Sequence, residues 1–409
     1  MSDKRVSRVY IPVRTLAPAM ILVLNSIAWF TLLSALLEEL FVKMKLPYAE
    51  ILILFGLYYA GIAVSALAGA LLFPRARENS LLLWMLLGTI TTALVSTIQG
   101  NSFVDNVFVC ALLGISIGMG LPSALAYFGD TTAVENRGTC GGLTWIAVGI
   151  GTLGLFVAVR MVDQSLKFAA LAGWRAAGIL LFLAFLKLRT KVQLPSNSSS
   201  YRSILSRKDV TLYLAPWIMF SLINFVESPI LRNLFGEETQ QLIGFIEVAI
   251  SGVFAVVGGI LGDLVGRKKV VITGFVILGI EYAVLSLFSK ITASWYVYTV
   301  CDGIAWGMFA SVFFMTVWGD LAQTNLKEKY YALGGLPYLL AGFLPVVVKP
   351  LVDSGGIETT TAFSLASFFL FLAVLPLMYA PETLPEKKIK ERELRDYVEK
   401  AKKTKDKYV

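Results

Sequence analysis

Histidine is absent from this 409-residue chain. Imidazole proton relays, most zinc sites and every Ser-His-Asp triad are thereby excluded, so any proton handling falls to carboxylates. Cysteine is scarce. Cys110, Cys140 and Cys301 sit inside or beside apolar runs, with no Cys-x-x-Cys spacing. That excludes a disulfide framework and a thiolate metal site. Charge is sparse too: charged residues are 16% of the chain and hydrophobic ones 56%, with a mean hydropathy of +0.71. A soluble domain carries about 25% charged residues. The shortage is gathered into apolar runs of about 20 residues, the length that crosses a ~30 Å hydrocarbon core as a helix. A soluble enzyme, a nucleic-acid binder and a disordered chain are excluded. No Gly-x-x-x-x-Gly-Lys loop is present, so ATP is not the direct drive. No nucleophile–base pair or metal-ligand cluster appears; the chain reads as no enzyme and calls for no metal or cofactor.

Twelve candidate spans are present: 15–37, 51–73, 81–99, 107–127, 143–162, 168–188, 211–230, 242–261, 270–288, 295–318, 332–352 and 363–380. The first is too long for a signal-peptide core and lacks a small-residue cleavage site after it, so it reads as a retained helix. Backbone in hydrocarbon must satisfy itself, and the ten-residue alternation of barrel strands is missing, so the spans are helices. Of the 36 Lys and Arg, 28 lie in alternate connections and the two terminal segments, seven lie in the other connections, and Arg160 sits at a span end. This bias places both termini in the cytoplasm of a multi-pass plasma-membrane protein. The net charge of +8 is then mostly topological rather than a nucleic-acid footprint. The expected organisation is a cytoplasmic segment 1–14, a six-helix bundle 15–188, a linker 189–210, a second bundle 211–380 and a charged tail 381–409. The linker, with Ser196 to Ser200, is flexible by composition.

The halves repeat at a shift of about 190 residues. Gly69-Ala-Leu-Leu-Phe-Pro-Arg-Ala-Arg77 falls on Gly259-Ile-Leu-Gly-Asp-Leu-Val-Gly-Arg267, and Gly118-Met119 falls on Gly307-Met308. Gly129-Asp130 matches Gly319-Asp320, and each is followed by a glycine pair, Gly141-Gly142 and Gly334-Gly335. An even-membered bundle repeated in one orientation implies a pseudo-two-fold along the membrane normal, with the solute site between the halves.

The segment Gly259 to Lys269, with Asp263, Gly266, Arg267 and Lys268, resembles the cytoplasmic loop signature of the major facilitator superfamily. Leu264 stands where that signature has its first Arg. In the first-half copy Phe73 replaces the Asp, and only Arg77 keeps its place. Gly173-Trp174-Arg175, Pro381-Glu382-Thr383 and the loop from Asp130 through Glu135 to Arg137-Gly138 are similar to further motifs of that family. The resemblance implies an all-α integral membrane fold of two pseudo-symmetric six-helix bundles. It also implies a cytoplasmic gate at Asp263, Gly266, Arg267, Arg77, Asp130, Arg137 and Asp320. A carboxylate at position 263 can meet the N-terminus of a neighbouring helix and an Arg. Arg77, lacking its Asp, is expected to serve topology more than gating.

Charges within spans are functional hypotheses. The second half places Glu227, Glu247, Glu281 and Asp302 in spans; the first half has none at comparable depth. A carboxyl removed from water favours its neutral form, which lets protonation couple to solute binding. Asp302 and Glu227 rank first, because the resemblance puts spans seven and ten on the cavity and span nine at the periphery. Asn25 and Asn224 lie in the first span of each half and read as helix glue or solute contacts. Trp306, four residues from Asp302, and Trp145 are candidate cavity walls. Arg160, Arg175, Arg232 and Lys349 are expected near outer ends, where they can snorkel. With no central cation, the solute reads as neutral or cationic. The resulting expectation is a monomeric secondary transporter of a small organic solute, driven by protons. Proton-driven multidrug efflux and a non-transporting receptor on the same fold are the alternatives.

Overall fold

The computed structural model describes residues 13–98, 102–186, 198–289 and 291–384, with Leu394 and Val398. The first twelve residues, 99–101, 187–197, Lys290 and most of the charged tail lie outside the described residues. The described chain is helical. Its first half comprises α1 (Val13–Lys43), α2 (Tyr48–Leu72), α3 (Arg77–Ile98), α4 (Phe103–Gly118 with Leu121–Thr131), α5 (Arg137–Arg160) and α6 (Lys167–Leu186). The second half comprises α7 (Lys208–Phe235), α8 (Glu237–Val265), α9 (Arg267–Phe288), α10 (Thr292–Met308, Phe309–Val317 and Trp318–Ala322), α11 (Glu328–Ala341 with Leu344–Asp353) and α12 (Thr359–Leu372 with Val374–Tyr379).

Eleven helical runs among the described residues are long and apolar enough to cross a membrane. The run Tyr48–Ser96 holds two spans, α2 and α3. Gly69 and Trp84 both lie against Met119–Gly120 of α4, so the chain turns back at the 3-10 turn Phe73–Ala76. The crossings therefore number twelve. Breaks have local causes: Pro122 just after the Gly120 kink in α4, and Pro345 after the Gly342 break in α11. In α10 the nine residues Phe309–Val317 wind as a π-helix, and the Thr316 hydroxyl donates to Ser311 O at 2.7 Å. Such segments are rare and gather at functional sites.

Packing follows the repeat. In the first half α2 lies on α4; in the second, α8 lies on α10. The halves meet along α5–α8 and α2–α11. The α5–α8 seam runs from Gly138 and Gly259, at the end that carries the Lys- and Arg-rich connections (the basic end), to Phe156 and Phe245, 5.0 Å apart, towards the other.

The end of the linker is not the free tether expected from its serines. Ser199 hydroxyl donates to Asn325, Lys329 Nζ donates to Ser198 Oγ at 3.0 Å and Ser199 O at 2.7 Å, and Ser200 caps the one-turn helix Tyr201–Leu205. Tyr201 donates its hydroxyl to Leu67 O of α2 at 2.8 Å, and burial pushes that phenol up to about 12, so it stays a neutral donor. Ile204 is fully buried beneath. The segment therefore straps α2 to α11.

Candidate functional site

Between the halves lies a cavity of about 470 Å³, continuous with a lobe of about 280 Å³. The two share a wall of Thr31, Glu247, Asp302, Trp306 and Tyr338. The second half supplies the acids. Asp302 on α10 is 3% exposed, and its Oδ1 meets no hydrogen-bond partner among the described residues. Glu247 Oε1 on α8 is likewise without one. Glu227 on α7 accepts from the hydroxyls of Tyr282 and Tyr298, the latter at 3.3 Å. Trp306 Nε1 donates to Asn224 Oδ1 at 2.9 Å, which fixes the indole over the cavity. Trp145 of α5 lines the smaller lobe and meets Phe314 edge-on at 5.8 Å. The first half adds an apolar face that includes Ile27, Phe30, Phe55 and Val148.

Two singled-out residues do not reach this cavity. Asn25 is held by α6: its amide donates to Trp174 O at 2.8 Å, and its Oδ1 accepts from Arg175 at 2.7 Å. It acts as helix glue. Glu281 on α9 is 1% exposed, is absent from the lining, and has neither oxygen hydrogen-bonded among the described residues.

The basic end is sealed by a paired network. Asp263, at the end of α8, accepts from Gly138 N at 3.0 Å, Thr139 N at 2.7 Å and Thr139 Oγ1 at 2.6 Å, so it caps α5 of the other half. Gly266 has φ 108°, a conformation that suits glycine, and turns the chain so that Arg267 folds back onto Asp263 at 2.8 Å and Asp320 at 3.3 Å. Arg137 crosses from the first half to Asp320, and Lys327 crosses from the second to Asp130. Arg77 meets Asp130 at 2.7 Å and, through Nε, Glu328 of α11 at 2.8 Å. Glu382 in the Pro-Glu-Thr segment accepts from Arg267 N at 2.8 Å and Lys268 N at 3.1 Å, capping α9. Removing one partner from a buried pair costs about 3–5 kcal/mol, because the survivor is left unpaired.

At the other end the links are fewer. Glu38 and Arg232 pair at 3.1 Å with both side chains more than a third exposed. Tyr48 hydroxyl donates to Val346 O at 2.8 Å, and Tyr59 lies 5.8 Å from Phe343.

Residues 210–405 match the sequence profile of the Major Facilitator Superfamily. Solved structures share the fold over about nine-tenths of the chain. The human organic anion transporter MFSD10 (TETRAN) is 15% identical with a TM-score of 0.66, covering 90% of this chain and 100% of that one. The proton:xylose symporter XylE bound to 6-bromo-6-deoxy-D-glucose is 16% identical at 0.64, covering 91% and 95%. A double Trp mutant of XylE is 16% identical at 0.69, covering 93% and 98%. The second half of this chain thus matches the superfamily's sequence profile, and the fold over about nine-tenths of the chain is that of these solved transporters. No curated protein matches its sequence.

The 190-residue shift explains the network. Arg77 and Arg267 correspond, as do Asp130 and Asp320, and Arg137 corresponds to Lys327. Each loop Arg pairs with the Gly-Asp carboxylate of its own half, and each such carboxylate is bridged by a cation from the other half. One element has moved. Asp263 has no counterpart at Phe73, and Glu328, on the first turn of α11, supplies the acid to Arg77. The expectation that Arg77 serves mainly topology is therefore corrected: it is buried and doubly paired.

A second correction concerns Arg175. It does not snorkel at an outer end. It is fully buried in α6, bonded to Asn25 and Ser26, and sandwiched between Trp29 at 4.6 Å and Trp84 at 4.2 Å. A cation does lie within the first bundle, but outside the cavity lining. Sequence reasoning also passed over Glu328, Lys327, Tyr298, Tyr282 and Tyr338. The repeat held a signal for Lys327, as the counterpart of Arg137; nothing in the pattern marked the tyrosines.

Proposed function

We propose that this transporter moves a small organic solute by alternating access and couples the movement to protons through Asp302 and Glu247, with Glu227 as a third acid. The observation that carries the reading is the pair of carboxyls on the cavity wall, each with an oxygen that no donor among the described residues reaches, in a chain without histidine. A carboxyl so placed can hold a proton or meet a donor or cation of the solute, so protonation and solute occupancy are linked. The sealed basic end and the sparser opposite end fit a state reached from one side of the membrane. The Lys and Arg bias makes the sealed side cytoplasmic, with both termini there, in the plasma membrane. The working unit is a single chain, since one copy supplies every wall of the cavity.

The test is proton flux in proteoliposomes carrying an internal pH dye. Sugars, amino acids, organic acids and organic cations are added to the parent protein, Asp302→Asn and Glu247→Gln. A solute-dependent pH change that disappears in both variants supports the reading. Solute flux without a pH change sinks the coupling. Binding without flux favours a receptor.

A further inference from the structure

We infer that the solute is an organic cation with an apolar body, seated with its charge on Asp302 and Glu247 and its body against the first half. The inference deepens the transport reading and rests on the same cavity. Its warrant is the asymmetry of the walls. The cavity is lined by Glu38, Glu227, Glu247 and Asp302 against a single lining cation, Arg232, which Glu38 engages at 3.1 Å. Three carboxyls therefore face the interior with no lining cation to oppose them. Asp302 is more than nine-tenths buried and offers an unpartnered oxygen into the shared wall.

The rest of the wall is aromatic. Trp306, Tyr338 and Trp145 surround the position that the two acids face. Indole and phenol faces attract a cation, most strongly where water is excluded. Part of the polar wall is already engaged: Asn224 Oδ1 accepts from Trp306, and the Ser34 hydroxyl donates to Phe30 O at 3.0 Å and lies 2.9 Å from Tyr58 hydroxyl. Gln240 is occupied by Arg232 and Ser228. An anion would face three carboxyls, and the buried Arg175 is outside the lining.

The exchange follows from charge balance. With the site empty, Asp302, Glu247 and Glu227 each carry a proton from the adjoining solution. A monovalent cation displaces one proton, which leaves to that same solution, and the other two acids keep theirs. One cation thus replaces one proton, and the three acids with their cation cross the membrane electrically neutral. A dication would displace two.

The experiment is binding of labelled tetraphenylphosphonium to the purified full-length chain, with competition by benzyltrimethylammonium and by neopentylbenzene, its uncharged isostere. Proton release is read in weak buffer with a pH dye, and monodispersity reports folding. The expected result is saturable binding, release of one proton per cation, and competition by benzyltrimethylammonium but not by neopentylbenzene or glucose. Asp302→Asn weakens binding by about tenfold or more, a loss of about 1.4 kcal/mol, and Asp302→Glu retains most of it. Equal competition by the uncharged isostere, undiminished binding to a folded Asp302→Asn, or no saturable cation binding overturns the inference. Cation binding without flux in liposomes keeps it and sinks the transport reading. Flux of a neutral solute with a pH change does the reverse.

Discussion

Asp263→Asn isolates one contact of the sealed end. The carboxylate accepts from Gly138 N, Thr139 N and Thr139 Oγ1, all on the opposite half. Its pair with Arg267 lies within its own half, so that pair survives opening and does not bias the two states. Only the contacts across the seam count. Hydrogen bonds to a charged group contribute about 1.5–3 kcal/mol each, against about 1 for neutral ones. The helix N-terminus adds about 0.3–1 kcal/mol for an anion. An Asn keeps one acceptor oxygen, loses the charge, and turns an NH2 towards donors. The closed state should lose about 2–4 kcal/mol, a shift of about 30- to 700-fold in the equilibrium. Nitroxides at exposed Arg75 and Lys269, one on each half, read the separation in a background where Cys110, Cys140 and Cys301 are Ala. Pulsed dipolar spectroscopy should show a longer distance gaining population. Where the parent shows too little of it, Glu328→Gln supplies a partly opened starting point. A long-distance fraction unchanged by Asp263→Asn in that background would refute the assignment of Asp263 as a seam contact.

Two further outcomes follow from the corrections. Because Glu328 stands in for the acid missing at Phe73, Glu328→Gln should open the basic end, and adding Phe73→Asp should restore at least part of the closed population in the same spectroscopic assay; no recovery would mean that Arg77 needs its acid on α11. Arg175→Lys should lower thermal stability by about 1–3 kcal/mol, because an ammonium neither stacks flat between Trp29 and Trp84 nor forks to Asn25 and Ser26, and an unchanged melting temperature in detergent would show that the guanidinium geometry is irrelevant.

The spans and the two bundles were readable because each is a local property: apolar length, and self-similarity at one shift. The basic-end network was half readable. Asp263 and Arg267 lie in one short motif, and Asp130 and Asp320 repeat. Glu328 was not readable, since its role exists only when α11 meets the α2–α3 turn across the halves. Arg175 was misplaced for a simpler reason. Hydropathy set the start of its span at residue 168 and gave no facing, whereas α6 begins at Lys167 and packs the guanidinium inward onto α1 and α3. For the same reason the sequence left Asn25 open between helix glue and solute contact, and its bonds to Trp174 and Arg175 of α6 decide for the former. Of the four intramembrane acids, three line the cavity and Glu281 does not. A helix pattern assigns depth, and the wall each acid faces is decided by packing.

At the basic end the seam between α5 and α8 is main chain against main chain. A Cβ on Gly259 would stand 2.1 Å from Gly138 O, and one on Gly142 would stand 2.3 Å from Ala255 O. Surfaces lined by long side chains can part slightly and refill the gap by changing rotamer. Two bare backbones have nothing to refill it with, and their dispersion contact fades within about an ångström. A slight parting at that end is therefore not made good by side-chain rotation. In the alternating-access reading proposed above, such an abrupt join guards against leak: ions meet no partly parted crevice there while the opposite side is accessible.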